Sequence, residues 1–236
     1  AAMLDAKGHA EIEADVGEIN LRTVGDAVIN NSDIAEGTKR NYRNNLERLI
    51  EMMGTRLTGS AGELLEAHRK ISDTYGPVSA NNALKFYRRV INYSNAAYST
   101  KIEWPTDKLR VLKIWNAEKP REGRASFSDL PAIWEAADSM PEPWGRLTML
   151  YLLTGLRNTE PFKAKVVGDD LVIEDTKNNT THRLPLTDTI KRLYGDGFTV
   201  KNGRHVTERM AGLTGIHLTP HDLRRTFAAT ANHARV

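Results

Sequence analysis

The sequence predicts a mainly α-helical protein with a small β-sheet, divided into two domains. Apolar residues recur at helical spacing throughout residues 21–104. Residues 105–125 break this periodicity with prolines, a glycine and clustered cations. Beyond them, helical patterns alternate with short β-rich runs that are separated by Asn, Gly and Asp. We therefore expect a helical domain at 21–104, a linker at 105–125 and a mixed α+β domain at 126–236.

Composition narrows the class of protein. The 236 residues are 40% hydrophobic and 27% charged, as in a soluble globular protein. No apolar run approaches the roughly 20 residues that span a bilayer, and the start lacks a signal-peptide pattern. The chain has no cysteine, and its seven histidines do not show the spacing His-Glu-x-x-His. We therefore expect no metal site, and a chain without cysteine fits a cytoplasmic protein in a reducing cytosol.

Charge is distributed unevenly along the chain. The net charge is +3, yet residues 1–20 hold one lysine and five carboxylates. This start is interpreted as a flexible acidic lead without strong apolar periodicity. The excess of Lys and Arg therefore lies in the rest of the chain, which permits a polyanionic partner without requiring one.

Four amphipathic helices are predicted between residues 21 and 104. Ser60 and Glu63 have the spacing of a capping box, and Gly76-Pro77 predicts the end of the helix that they open. The other three are a short first helix that contains residues 24–29 and two helices that begin near Thr38 and Ser79. Four such helices over about 80 residues form a compact bundle.

Basic side chains lie on the outer faces of two of these helices and in the linker. Such faces are compatible with DNA phosphates, although an ordinary solvated surface has the same composition. The candidate DNA-binding residues are Lys39, Arg40, Arg43, Lys85, Arg88, Arg89, Arg121 and Arg124.

The second domain is predicted to contain helices around a small sheet. Ser128 is a plausible cap for its first helix, and a second apolar helix begins at Trp144. The remaining predicted elements are strands at 164–167, 171–175 and 182–186, helices at 187–194 and 206–213, and a final helix from Pro220.

The stretch from Thr219 to Thr230 carries the densest set of polar groups. Thr219 can cap a helix, and Pro220 suits the first helical position. His221 and Arg224 then share one helical face, with Arg225 beside them. An imidazole and a guanidinium near a helix N-terminus suit a phosphate group, although a polar helix start with an ordinary salt bridge fits equally well.

Three separated pieces of the second domain point to one family. They are Thr154-Gly-Leu-Arg157 with Glu160 after an apolar helix, Lys177 at a predicted hairpin tip, and His221-x-x-Arg224. In this order and spacing they resemble the catalytic domain of the tyrosine recombinases, in particular the phage integrases. The segment 78–84 (Val-Ser-Ala-Asn-Asn-Ala-Leu) resembles the last helix of that family's four-helix, SAM-like core-binding domain. The resemblance covers residues 21–236.

The resemblance implies double-stranded DNA as partner, a homo-tetramer on DNA for the full-length protein, and a bacterial or phage-infected cell. It also implies phosphoryl transfer without metal or nucleotide cofactor, through a 3′-phosphotyrosyl intermediate. Arg157 and Arg224 would hold the non-bridging phosphate oxygens. Lys177 would protonate the leaving 5′-oxygen, and His221 would assist proton transfer. Glu160 is interpreted as a structural partner of Arg157, and Arg225 as a further DNA contact.

The chain departs from the family pattern at the nucleophile. The family places its tyrosine some tens of residues after the His-x-x-Arg motif, whereas all seven tyrosines here precede Arg224. We therefore expect a catalytic domain truncated before its nucleophile, which binds DNA without cleaving it. The alternatives are a non-catalytic DNA-binding module that regulates recombination or operator sites, and a structural helical protein with incidental motif matches.

Overall fold

A computed structural model describes residues 19–118, 123–174, 180–200 and 202–233. The chain divides into two compact units, residues 1–120 and residues 121–236. Within the described residues, no helix is both long enough and apolar enough to cross a membrane.

The described part of the first unit is a bundle of helices. Its apolar faces meet in one core, in which Leu21, Leu49, Leu64 and Leu84 are fully buried. The helices are α1 (Leu21–Asn30), α2 (Glu36–Met53), α3 (Ala61–Tyr75), α4 (Pro77–Tyr98) and α5 (Thr106–Val111).

The fifth helix lies in the segment that the sequence predicted to be a linker. Leu109 and Ile114 are 1% and 3% exposed, and both belong to the core of the first unit. The buried amide of Asn81 in α4 then holds the chain further along. Its Nδ2 donates to the carbonyl of Asn116 at 3.0 Å and to the Glu118 carboxylate at 2.9 Å. The two buried apolar residues are five positions apart, which is not a helical repeat, and Val111 and Leu112 between them are exposed. Periodicity therefore did not reveal that this segment completes the core of the first unit.

Only half of the predicted capping box forms at α3. Ser60 Oγ accepts the N–H of Glu63 at 3.4 Å. The Glu63 carboxylate does not return to the Ser60 N–H, since it pairs with Arg56 at 2.6 Å. The Ser60 N–H instead donates to Thr58 Oγ1 at 3.0 Å.

Two helices of this unit begin earlier than predicted. α2 begins at Glu36 instead of Thr38, and the Glu36 carboxylate forms an ion pair with Lys39 at 3.5 Å. α4 begins at Pro77 instead of Ser79. Proline suits this first helical position because its missing N–H would have had no partner there.

The second unit packs helices around α7 and carries a small sheet. Leu147, Leu150 and Tyr151 of α7 are fully buried, and α7 contacts α6, α8, α9 and α10. Its elements are α6 (Leu130–Ser139), α7 (Trp144–Thr154), β1 (Lys165–Val167), β2 (Asp170–Ile173), β3 (His182–Pro185), α8 (Asp188–Tyr194), α9 (Arg204–Thr214) and α10 (Pro220–His233).

The three strands form one antiparallel sheet in the order β1-β2-β3. Leu171 of β2 lies opposite Val166 of β1 and opposite Leu184 of β3. The turn between β1 and β2, at Gly168 and Asp169, agrees with the prediction, whereas residues 175–179 between β2 and β3 lie outside the described residues. The predicted fold class, mainly helical with a small sheet, is confirmed. The cap before α6 differs from the prediction: Ser126, not Ser128, forms a reciprocal capping box with Asp129.

Candidate active site

The site begins where α7 ends. Gly155 adopts a left-handed conformation, with φ +61°, and its N–H donates to the Tyr151 carbonyl at 2.9 Å. Glycine adopts this conformation without the steric cost that a Cβ imposes. The chain therefore turns sharply, buries Leu156 in the core, and presents Arg157 beside the end of the helix.

Arg157 is held by Glu160. The Glu160 carboxylate accepts the Arg157 backbone N–H and one guanidinium N–H, both at 2.7 Å. The Glu160 side chain is 5% exposed, whereas the Arg157 side chain is 36% exposed. Among the described residues, the guanidinium makes this one contact, so its remaining N–H groups can meet a ligand. The structure thus pairs Glu160 with Arg157, and its role as a structural support of the site stays a prediction.

The last helix supplies the second arginine. Arg224 in α10 donates through Nη1 to the carbonyl of Gly155, two residues before Arg157. One turn further along α10, the Phe227 ring packs directly on Gly155, where a Cβ would approach its Cδ1 to 2.3 Å. Arg157 and Arg224 are thus anchored to the same short turn, and we call them the arginine pair.

The start of α10 is capped as the sequence predicted. Thr219 Oγ1 accepts the Asp222 N–H at 3.2 Å, and the Asp222 carboxylate accepts the Thr219 N–H at 3.0 Å. Sequence reasoning missed the role of Asp222, although Thr-x-x-Asp is itself a capping-box spacing.

His221 occupies the second helical position and is exposed. It lies one turn before Arg224 on the same helix, which places both side chains on one face. His221 makes no hydrogen bond or ion pair to another residue of the described ranges. Arg225, by contrast, is half-buried, and its Nη1 lies 3.4 Å from the Asp222 carboxylate.

Two predicted site residues lie outside the described residues. They are Lys177, whose connection joins β2 to β3, and Arg121. In the parts of the chain that the structure describes, no group of three or more His, Cys, Asp or Glu side chains could hold a metal ion.

The buried Tyr151 beside the site is hydrogen-bonded to the turn that follows α7. The Tyr151 hydroxyl donates to the Asn158 carbonyl at 2.7 Å, and burial raises the pKa of this phenol. Asn158 Oδ1 also accepts the N–H of Gly203 at 2.8 Å, which ties the turn to the start of α9. The sequence analysis gave Asn158 no role, although it follows Arg157 directly.

A polar groove in the first unit lies between α2 and α4. Its volume is about 510 Å³, and no acidic side chain lines it. Arg89 lies over the Tyr42 ring at 5.5 Å from its centroid, which fixes the guanidinium at the groove wall. The lining residues are Thr38, Asn41, Tyr42, Asn44, Asn45, Arg48, Ser79, Asn82, Lys85, Phe86 and Arg89.

The predicted basic residues of this unit differ in their partners. Arg40 is exposed, and within the described ranges it has no ion-pair partner. Arg43 lies 3.9 Å from the carboxylate of Glu36, which also pairs with Lys39. Lys85 pairs with Glu118 at 3.1 Å. Arg88 lies 6.0 Å from the centroid of the Trp104 ring.

Several solved structures share this fold. A lambda integrase (residues 75–356) dimer bound to a COC′ core site is similar with a TM-score of 0.72 at 16% identity, over 92% of this chain and 88% of that one. A lambda integrase tetramer bound to a Holliday junction is similar with a TM-score of 0.70 at 16% identity, over 90% and 73% of the chains. This chain has the integrase fold.

A transposon protein has the same integrase fold. The Tn1549 transposon integrase in complex with a circular intermediate DNA matches with a TM-score of 0.68 at 10% identity, over 91% of this chain and 87% of that one. No protein-family model and no curated protein matches the sequence. At these identities the likeness establishes the fold, and it confirms the resemblance to the tyrosine recombinases at that level.

Proposed function

We propose that this chain is the DNA-binding and phosphate-binding core of a site-specific DNA recombinase of the tyrosine type. The observation that carries the proposal is the arginine pair. Two guanidinium groups that are 67 positions apart in the sequence are both anchored at the turn after α7. The fold supports the same proposal, because the integrases that share it are complexes with DNA.

The chemistry of the pair suits a phosphodiester. A phosphoryl group in transfer spreads negative charge over its equatorial oxygens, and fixed guanidinium forks stabilise that charge without a metal. His221, exposed one turn before Arg224, would move a proton at the same phosphate. By family resemblance, Lys177 protonates the leaving 5′-oxygen.

The first unit would bind the duplex through its groove between α2 and α4. Cations attract phosphates there, and the amides of Asn41, Asn44 and Asn82 match the donor and acceptor pattern of base edges. Arg40, Arg43 and Arg88 would extend the same surface. The proposed assembly is a tetramer on DNA, by analogy with the tetrameric neighbour.

We further propose that these 236 residues bind DNA without cleaving it. All seven tyrosines precede Arg224 in the sequence. Tyr87 and Tyr151 are buried and donate their hydroxyl hydrogens to backbone carbonyls, so neither presents a nucleophile. The same observation favours the second candidate, a non-catalytic DNA-binding module.

The test is a scan of single methylphosphonates, which neutralise one phosphate at a time, across a candidate attachment-site duplex. The phosphate held by the arginine pair should show a loss of affinity that disappears in Arg157→Ala and in Arg224→Ala. The control, Arg192→Ala on α8, should preserve that position-specific loss. A flat scan with salt-independent binding would contradict the proposed function. A covalent adduct on a nicked duplex would contradict the binding-only role alone.

A further inference from the structure

Residues 123–125 enter the second unit along the first two turns of α10, and we call them the strap. The N–H of Ala125 donates to Thr226 Oγ1 at 2.9 Å, and Ala125 is buried. Thr226 is itself buried, and its hydroxyl donates to the Asp222 carbonyl at 2.9 Å. The end of the strap is therefore fixed to the helix by a buried hydrogen bond.

The start of the strap is fixed by close packing. A Cβ added at Gly123 would lie 2.6 Å from Asp222 Oδ1 and 2.8 Å from its Cγ. Such distances are below van der Waals contact, so only glycine fits while the carboxylate keeps its place. The carboxylate has little freedom to move, because Thr219 Oγ1 donates to it at 2.6 Å and Arg225 lies 3.4 Å from it.

Arg124 lies between these two fixed residues. It is exposed, and it makes no hydrogen bond or ion pair to any residue of the described ranges. Arg225, the neighbouring cation on α10, is occupied by Asp222. Of Arg124 and Arg225, the cation that is available to a ligand is therefore Arg124.

We propose that Asp222 is a positioning residue that fixes the strap against α10, so that Arg124 contacts a DNA phosphate beside the arginine pair. The proposal rests on the proposed function, which supplies the phosphate. In this proposal Asp222 and Arg225 fix the position of the strap, while Arg124 binds the DNA phosphate.

The primary variant is Gly123→Ala, which displaces the strap without removing any polar group. The slope of log affinity against log salt for duplex DNA should fall by about one, as it should in Arg124→Ala. The salt slope of the double variant, Gly123→Ala with Arg124→Ala, should be no lower than that of either single variant, because both substitutions remove the same contact. The control is Gly212→Ala in α9, where an added Cβ meets nothing within 4 Å.

Asp222→Asn gives a test of sign. Removing a negative charge next to DNA should strengthen binding if only long-range electrostatics operates. Positioning predicts the opposite, a weaker affinity, because an amide has one acceptor oxygen and cannot replace both carboxylate oxygens. Oδ2 accepts from Thr219, and Oδ1 lies against Gly123. Tighter binding by Asp222→Asn would overturn the proposal.

A measurement without DNA tests the strap itself. Thr226→Val removes the acceptor of the Ala125 N–H, so hydrogen exchange at Ala125 should become faster, while Thr226→Ser should preserve its protection. Unchanged exchange in Thr226→Val, or additive losses of salt slope in Gly123→Ala and Arg124→Ala, would refute the inference and leave the proposed function intact. A wild-type chain without salt-dependent DNA binding would overturn both.

Discussion

At the scale of single residues, the site depends on one glycine more than on any charged group. Gly155 supplies the turn that presents Arg157, the carbonyl that anchors Arg224, and the space that Phe227 fills. A charged partner such as Glu160 fixes one side chain, whereas Gly155 fixes the relation between α7 and α10. The left-handed backbone of Gly155 forms the turn, and its lack of a side chain leaves room for the Phe227 ring.

Gly155→Ala should therefore destabilise the second unit by more than the strain of a left-handed alanine, about 1–2 kcal/mol. The added methyl group must also displace the Phe227 ring, and α10 with it. Thermal unfolding measures the loss, and the methylphosphonate scan shows whether Arg224 still reaches its phosphate.

The matched control is Gly215→Ala at the end of α9. Gly215 has a similar φ of +70° at a helix C-terminus, but an added Cβ there meets nothing within 4 Å. The difference between the two variants isolates the Phe227 contact. Equal losses would show that α10 does not depend on this packing.

At the scale of the element, helix termini show where local signals suffice. Thr219 and Pro220 predicted the start of α10 correctly, because the cap and the fixed φ act within one turn. The pair Ser60 and Glu63 misled, because Arg56 competes for the Glu63 carboxylate and no local pattern reveals that. Arg157, Arg224 and His221 were predicted as site residues from the spacing of their motifs. The contacts of Asn158 and of the strap were not predicted, because they join residues that are far apart in the sequence. Asn158 contacts Gly203, 45 positions away, and Ala125 contacts Thr226, 101 positions away.

The half-formed cap at α3 gives a prediction at this scale. Ser60→Ala should cost the first unit about 1 kcal/mol, because the Glu63 N–H loses its acceptor. Glu63→Gln should cost less, since it removes only an exposed ion pair with Arg56. Urea unfolding of both variants measures the difference. Equal costs would show that the exposed pair of Arg56 and Glu63 stabilises this unit as much as the Ser60 cap does.

At the scale of the whole molecule, each unit has its own core, and at least one buried tyrosine hydroxyl is hydrogen-bonded to the backbone there. In the first unit the Tyr87 hydroxyl accepts the Thr58 N–H at 2.7 Å and donates to the Thr58 carbonyl at 3.0 Å. This pair closes the loop between α2 and α3 onto α4. The fold thus joins distant segments by single buried polar groups, around which the apolar residues pack.

Alkaline pH should weaken the first unit through Tyr87. Burial raises the pKa of Tyr87 from 10.0 to about 12. Between these values the unfolded chain releases a proton that the folded unit retains, so stability present below pH 10 is lost as the pH rises towards 12. Hydrogen exchange of the α3 and α4 amides measures this unit separately.

Tyr87→Phe should lower the stability of the first unit at neutral pH, because the Thr58 N–H loses its acceptor. The same variant should flatten the alkaline decline. Tyr98→Phe is the control and should keep the slope of the wild type. A Tyr87→Phe unit that declines as steeply as the wild type would show that other groups cause the loss.

The arginine pair also has a consequence for the order in which the second unit forms. The bond between Arg157 and Glu160 closes over three residues, whereas the bond between Arg224 and Gly155 closes a loop of 69. The long loop costs more chain entropy, so the first half of the pair can form before α10 docks and the second half cannot. A phosphate that engages both guanidinium groups binds only the docked state and shifts the docking equilibrium towards it. Under the proposed function, DNA would therefore act as a folding ligand for the last helix.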